Sequence, residues 1–285
     1  MRVIVTGGTG FLGGYVIKEL QADNNIEVFN IDARPLANFR WGGTYTANLE
    51  DLGETMALLG VIKPDAIIHL AAIPNPLLTA ENITFRVNVM TTYNIFYAAS
   101  VMGVKKVVFA STDSSYGMVF AKRPFKPQYL PVDENHPQLP QDPYGGSKLF
   151  CEEIAKMFIR GYGIQAIGLR ITSLERPEAY RSYPEQFKTI PYDRLPGLFN
   201  YLDVRDAASA FHLALYVDNP EFKAVIVTAD ETVLDIPSMD VIRECFPEIK
   251  SAHIEGYGSL YSNSTAKKLL GWEPKIHWRD EVKKG

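Results

Sequence analysis

The sequence predicts an α/β fold: a doubly wound parallel sheet covered by helices on both faces, with a small discontinuous C-terminal lobe. Three observations predict it. The apolar run Arg2-Val3-Ile4-Val5 breaks into glycines at Gly7, Gly10 and Gly13, then resumes as the amphipathic stretch Tyr15 to Leu20. Near-continuous apolar segments alternate with helix-period segments as far as Val227, as expected of strands buried on both faces. Right-handed crossovers between such strands place ligand sites at their carboxyl ends.

The first strand, turn and helix start are spaced to hold a diphosphate, which makes the sheet Rossmann-type. Gly7 makes the turn, Gly10 lets phosphates approach backbone N–H groups without an intervening Cβ, and Gly13 lets the helix pack on the sheet. A second strand, Ile26 to Ile31, ends at Asp32, about twenty residues after the loop, where a carboxylate accepts hydrogen bonds from ribose hydroxyls. That carboxylate favours NAD and would repel the 2′-phosphate of NADP. Arg34 works the other way, because a guanidinium there could pair with such a phosphate.

A third short strand leads to Asn48-Leu49, followed by a helix from Leu52 to Leu59 and a buried strand from Asp65 to Leu70. A long helix over about 84–102 precedes the strand Lys106 to Ala110, which runs on into Ser111-Thr112-Asp113. At these carboxyl ends Asn48 could bond an adenine amino group, and Ala71-Ala72 are small enough for a dinucleotide to pass. His69, at the end of an apolar strand, reads as packed core. After Pro143 an apolar-periodic helix runs to about Arg160. The stretch Leu174 to Phe199 is rich in Pro, Tyr, Arg and Glu without clear periodicity, and reads as a binding loop or lid. Regular patterning returns in Tyr201-Leu202-Asp203-Val204, a helix from Arg205 to Tyr216 and a strand from Ala224 to Val227. The expected division is a cofactor domain, 1–170 plus 201–227, and a substrate lobe, 171–200 plus 228–285.

Composition narrows the function. A net charge of −4 without basic clusters argues against nucleic acid as a partner. No apolar stretch approaches the roughly twenty residues that span a bilayer, and the first strand begins at once, so neither a membrane role nor a signal peptide is expected. Two distant cysteines, Cys151 and Cys245, suggest neither a disulfide framework nor a metal site, and suit a cytoplasmic setting.

The candidate chemistry is carried by Tyr144 and Lys148, four residues apart on one helical face. A phenol titrates near pH ~10 and is a poor base at neutrality unless a nearby ammonium stabilises the phenolate. Lys148 supplies that charge, and an oxidised nicotinamide would add another. Tyr144 could then take the proton from a substrate hydroxyl as hydride leaves, with Thr112 fixing the same oxygen.

On these residues the chain resembles the extended short-chain dehydrogenase/reductases of the NAD-dependent epimerase/dehydratase family, over nearly its whole length. The resemblance rests on Thr6-Gly7-Gly8-Thr9-Gly10-Phe11-Leu12-Gly13, His69-Leu70-Ala71-Ala72, Asn88, Ser111-Thr112 with Tyr116-Gly117, Tyr144-Gly145-Gly146-Ser147-Lys148, Leu169-Arg170 and Tyr201 to Asp206. It implies a catalytic set of Thr112, Tyr144 and Lys148. It also implies NAD along Gly7, Gly10, Phe11, Leu12, Gly13, Asp32, Asn48, Leu49, Leu70, Ala71, Ala72 and Asn88, with Tyr144 and Lys148, and a homodimer joined by the helices around 84–102 and 145–160. Two departures bear on substrate. Ser173 stands where nucleotide-sugar members usually carry Asn, and the stretch from there to Tyr201 is shorter than theirs, which implies a smaller substrate. The run Arg170 to Ser173 followed by Arg181 looks more like the uronate dehydrogenases, so Ser173 and Arg181 are expected to hold a sugar or its carboxylate. Ser-Thr-Asp resembles the dehydratases, but Ser114 replaces their second carboxylate, so Asp113 and Ser114 are expected to bind sugar hydroxyls.

The leading expectation is an NAD-dependent oxidoreductase of a small sugar or sugar acid. A UDP-hexose 4-epimerase with tightly bound NAD is the alternative enzyme. A non-enzymatic dinucleotide sensor is the alternative from another class, and would have no need of a proton-transfer set.

Overall fold

The computed structural model describes residues 1–33, 43–219 and 221–284. The chain alternates as the sequence patterning requires. β1 (Arg2–Thr6), α1 (Phe11–Gln21), β2 (Glu27–Asp32), β3 (Thr44–Thr46), α2 (Leu52–Ile62) and β4 (Ala66–His69) lead to α3 (Glu81–Met102) and β5 (Lys106–Thr112). A 3₁₀ turn, Asp113–Tyr116, follows β5, and the chain continues through α4 (Pro143–Tyr162), β6 (Gln165–Ile171) and β7 (Leu174–Glu175). Next come a 3₁₀ helix Pro177–Ser182, α5 (Tyr183–Gln186), a second 3₁₀ helix Tyr192–Gly197, β8 (Leu202–Asp203), α6 (Val204–Ala214) and β9 (Lys223–Val227). The last helices are α7 (Ser238–Cys245), α8 (Ser264–Leu270) and α9 (Trp278–Lys284).

Seven strands form one parallel sheet in the order β3-β2-β1-β4-β5-β6-β9, and β7 and β8 pair separately. Strand order reverses at β1, where Val5 lies between Asn30 of β2 and Ile68 of β4. That reversal opens a crevice at the carboxyl ends, the place where doubly wound sheets bind ligands. Alternate strand residues feed opposite faces. Val3, Val5 and Ile68 pack with Val16, Leu20, Ala207 and Phe211 of α1 and α6, and Ile4, Ile67 and Val107 pack with Leu59, Ile95, Phe96 and Phe158 of α2, α3 and α4. Both faces are buried, so the strands read as continuous apolar runs.

A third cluster joins Tyr116, Leu130 and Val132 to Tyr180, Tyr183, Phe187 and Phe199, and to Val241, Phe246, Tyr261 and Trp278. This corrects the expectation of a loop without regular structure over 174–199, because that stretch also contributes to a core. Tyr180, Tyr183 and Phe187 lie at a helical spacing of three and four, fully buried, with Tyr183 edge-on to Phe187 at 4.7 Å between ring centroids. Their polar neighbours masked a pattern only three residues deep. No described helix is long and apolar enough to cross a membrane.

Candidate active site

The glycine loop is held between β2 and β4. Gly7 has φ +72° and donates its N–H to the Ile31 carbonyl at 2.9 Å, and a Cβ on it would stand 2.8 Å from the Ala71 nitrogen. A Cβ on Gly13 would meet the Gly7 carbonyl oxygen at 2.2 Å, so α1 can approach the loop only without one. Gly10 is the N-cap of α1 and no side chain caps the first turn. Its free N–H groups and the positive helix end therefore face the crevice, as a diphosphate requires. Asp32, closing β2, accepts from the Thr9 hydroxyl at 2.6 Å and from the Thr9 N–H at 3.2 Å, which fixes its carboxylate beside the loop. These residues fit a dinucleotide. Arg34 lies outside the described residues.

From the loop a cavity of about 970 Å³ runs along the strand ends. Its walls bring together Gly7, Gly10, Phe11, Leu12, Gly13, Asp32, Asn48, Leu49, Leu70, Ala71 and Ala72 at one end with Thr112, Asp113, Ser114, Tyr144, Lys148 and Ser173 at the other. Asn88 and Arg181 are not in that wall. Asn88 is buried behind it, accepting from the Ile73 N–H at 2.7 Å and donating to the Ile73 carbonyl at 3.1 Å and to Ser147 at 3.0 Å. It holds the loop after β4 against α4 and so shapes the cavity from outside. Arg181 is solvent-exposed on the first 3₁₀ helix, so the expected carboxylate clamp is absent.

Tyr144 and Lys148 are placed by the start of α4. Asp142 caps that helix, accepting from the N–H groups of Tyr144 and Gly145, each at 2.9 Å, with Pro143 setting the first turn. Lys148 is buried, donates to the Ala110 carbonyl at 2.8 Å, and stands 5.9 Å from the Tyr144 ring centre. Thr112 lines the cavity with Tyr144, donates to Asp113 at 3.2 Å and accepts from the Ser114 N–H at 3.1 Å. Burial pushes the Tyr144 phenol above its ordinary range, opposed chiefly by the Thr112 hydroxyl. Burial likewise lowers Lys148. Desolvation dominates at Tyr144 in the chain by itself, so the second positive charge expected beside Lys148, that of an oxidised nicotinamide, is needed to favour the phenolate. Asp113, buried and raised to about 6 by desolvation, is bound by the Asn200 amide at 2.9 Å. His69 is core as expected, sharing hydrogen bonds with Thr6 at 2.7 Å and Thr92 at 3.2 Å and lowered to about 3 by burial.

Three site features escaped sequence reasoning. Asn200 joins Asp113 to the second lobe and also accepts from the Ser173 N–H at 3.1 Å. Phe120 stands edge-on to Tyr144, with ring centroids 6.2 Å apart. Arg194 lines the cavity but is committed to Glu175 at 3.3 Å. None lies at a strand end before the crossover helices, and the proximity of Asn200 to Tyr201-Leu202-Asp203 was the available signal. Arg170, part of the Leu169-Arg170 motif of the resemblance, is structural. It is 4% exposed and forks onto Glu152 at 2.9 and 2.7 Å while donating to Tyr116 and Gln138, each at 2.9 Å.

Comparison with known proteins gives the family and the fold. The model of the NAD dependent epimerase/dehydratase family matches residues 3–226. A putative UDP-glucose 4-epimerase of Methanocaldococcus jannaschii is 35% identical, covering 99% of this chain and 96% of its own length. The UDP-glucose 4-epimerase of Streptococcus mutans is 33% identical over 60% of this chain, and the match spans only 51% of that relative. An L-arabinose 1-dehydrogenase (NAD(P)(+)) of Haloferax volcanii is 26% identical over 66% of this chain and 73% of its own length. Among solved structures, a UDP-glucose 4-epimerase of Thermotoga maritima with UDP-glucose has a TM-score of 0.76 at 23% identity, covering 99% of this chain and 96% of that one. That likeness is one of fold.

Proposed function

Since the chain belongs to the NAD dependent epimerase/dehydratase family, we propose that it is an NAD-dependent dehydrogenase of a small, neutral sugar. The carrying observation is the charge of the cavity wall. Its acids are Asp32, Glu50, Asp113 and Asp193, and among the described residues its only cations are Lys148, bonded to Ala110, and Arg194, paired with Glu175. A sugar nucleotide brings a second diphosphate, and a sugar acid a carboxylate, for which this wall holds no uncommitted cation. Asp113, Ser114, Ser173 and Asn200 instead offer acceptors and donors to hydroxyl groups. The name of the Haloferax volcanii relative, a dehydrogenase of a free sugar, points the same way.

Bound NAD would supply the hydride acceptor and a positive ring. Thr112 and Tyr144 hold the substrate hydroxyl between them, Asp113 accepts from a neighbouring hydroxyl, and Tyr144 takes the proton as the C–H hydride departs and the carbonyl forms. Lys148 favours the phenolate that this step needs. Because burial raises Tyr144, oxidation should accelerate as pH rises above neutrality. The preference for NAD over NADP rests on Asp32. In this reading the chain divides into a cofactor domain, 1–170 plus 201–227, and a substrate lobe, 171–200 plus 228–285, and works as a homodimer in a cytoplasmic setting suited to two free, buried cysteines.

The test is NADH formation from excess NAD with free aldoses, uronates and UDP-hexoses. Steady NADH from an aldose is expected. UDP-hexose isomers interconverting without net NADH would overturn the proposal in favour of the epimerase reading, which the Methanocaldococcus jannaschii relative supports. Tyr144→Phe should cut turnover by about a thousandfold or more while leaving NAD affinity within twofold.

A further inference from the structure

The glycine loop has a second neighbour. Beside the main cavity lies a smaller hollow of about 460 Å³ that shares Thr9, Gly10 and Phe11 with it and adds Lys18 and Arg176. Arg176 directly follows β7, at the N-cap of the first 3₁₀ helix, and its guanidinium lies over the Phe11 ring, 4.0 Å from the centroid. Phe11, first residue of α1, is braced in turn by Tyr15, with ring centroids 5.9 Å apart.

The charge here is unbalanced. Neither Arg176 nor Lys18 has a carboxylate partner among the described residues, and the first turn of α1 holds no acid. A guanidinium at the positive end of a helix is unfavourable unless an anion joins it. The two cations of the main cavity are already committed to Ala110 and Glu175, so they leave the loop's backbone N–H groups without side-chain charge to match a diphosphate. The main chain leads back from Arg176 through Glu175 to Leu174 and Ser173 in the cavity wall.

We propose that Arg176 is a latch: a diphosphate-binding residue that, stacked on Phe11, closes over the cofactor and fastens the 174–200 segment to the nucleotide loop. The proposal rests on the family's dinucleotide, and it stands whichever sugar is oxidised.

The experiment titrates wild type, Arg176→Ala and Arg176→Lys, freed of nucleotide, with NADH, ADP-ribose and adenosine, following fluorescence or heat at 20 and 200 mM salt. Arg176→Ala should weaken NADH and ADP-ribose about tenfold, flatten their salt dependence and leave adenosine unchanged, and Arg176→Lys should recover part of the loss. Equal affinities for NADH in wild type and Arg176→Ala would overturn the latch, as would an equal loss for adenosine. Absence of NADH binding to wild type would instead count against the cofactor assignment, which separates the two failures.

Discussion

Asp113 shows how one residue couples chemistry to stability. Its folded pKa, about 6, lies above the ordinary 3.8, so between these values the native state holds a proton that the unfolded chain has lost. Stability therefore falls as pH rises through that window and stays low above it, by about 3 kcal/mol. Asp113→Asn should raise Tm by a few degrees at pH 8, leave it unchanged below pH 4, and abolish the fall in kcat/KM below pH 6 along with most of the activity. Thermal scans at both pH values and a pH–rate profile decide this. The position was legible in the sequence because a strand's carboxyl end is where a parallel sheet presents ligand residues. Its partner was not, since Asn200 lies 87 residues on and reaches it through tertiary packing. Arg181 shows the reverse failure: the resemblance to uronate dehydrogenases suggested a clamp, but on the 3₁₀ helix its side chain is exposed to solvent. Arg181→Ala should leave kcat/KM within twofold in the NADH assay, whereas Asn200→Ala should lower it at least tenfold.

At the scale of the element, α4 carries the proton-transfer pair and depends on its first turn. Asp142 accepts from two N–H groups there, so Asp142→Ala should cost about 1 kcal/mol and loosen Tyr144 without touching substrate. The expected readout is lower Tm and kcat with KM little changed, and Asp142→Ser should restore much of both. The strands and long helices of the sheet were readable because burial on both faces and helical period each leave a plain pattern. Their ends were less so: α3 begins at Glu81, three residues before its expected start, because polar residues in a first turn break no periodicity. The 174–199 stretch hid its order more deeply. About two turns of buried aromatics are too short for a period to emerge, and their burial against Trp278 and Tyr201 depends on residues far along the chain.

For the whole molecule, the packed helices α3 and α4 each expose apolar side chains, Ile83 and Met90 on one and Phe150 and Met157 on the other. Residues seven apart lie on one side of each helix, and the proposed homodimer would cover them. Met90→Asp with Met157→Asp should shift the protein from dimer to monomer in light scattering, while NAD affinity stays within a fewfold. A persistent dimer would place the interface elsewhere. Behind the active site, Arg170 of β6 and Glu152 of α4 lie almost without solvent, joined by Ser111, Tyr116 and Gln138. Removing either charge alone strands the other, at a cost of about 3–5 kcal/mol, while replacing both by apolar side chains of similar volume can cost little. Mutational drift is thereby constrained: each member is nearly immovable while the other remains, and descendants of this chain can leave the pair only by a concerted step or through an intermediate first stabilised elsewhere.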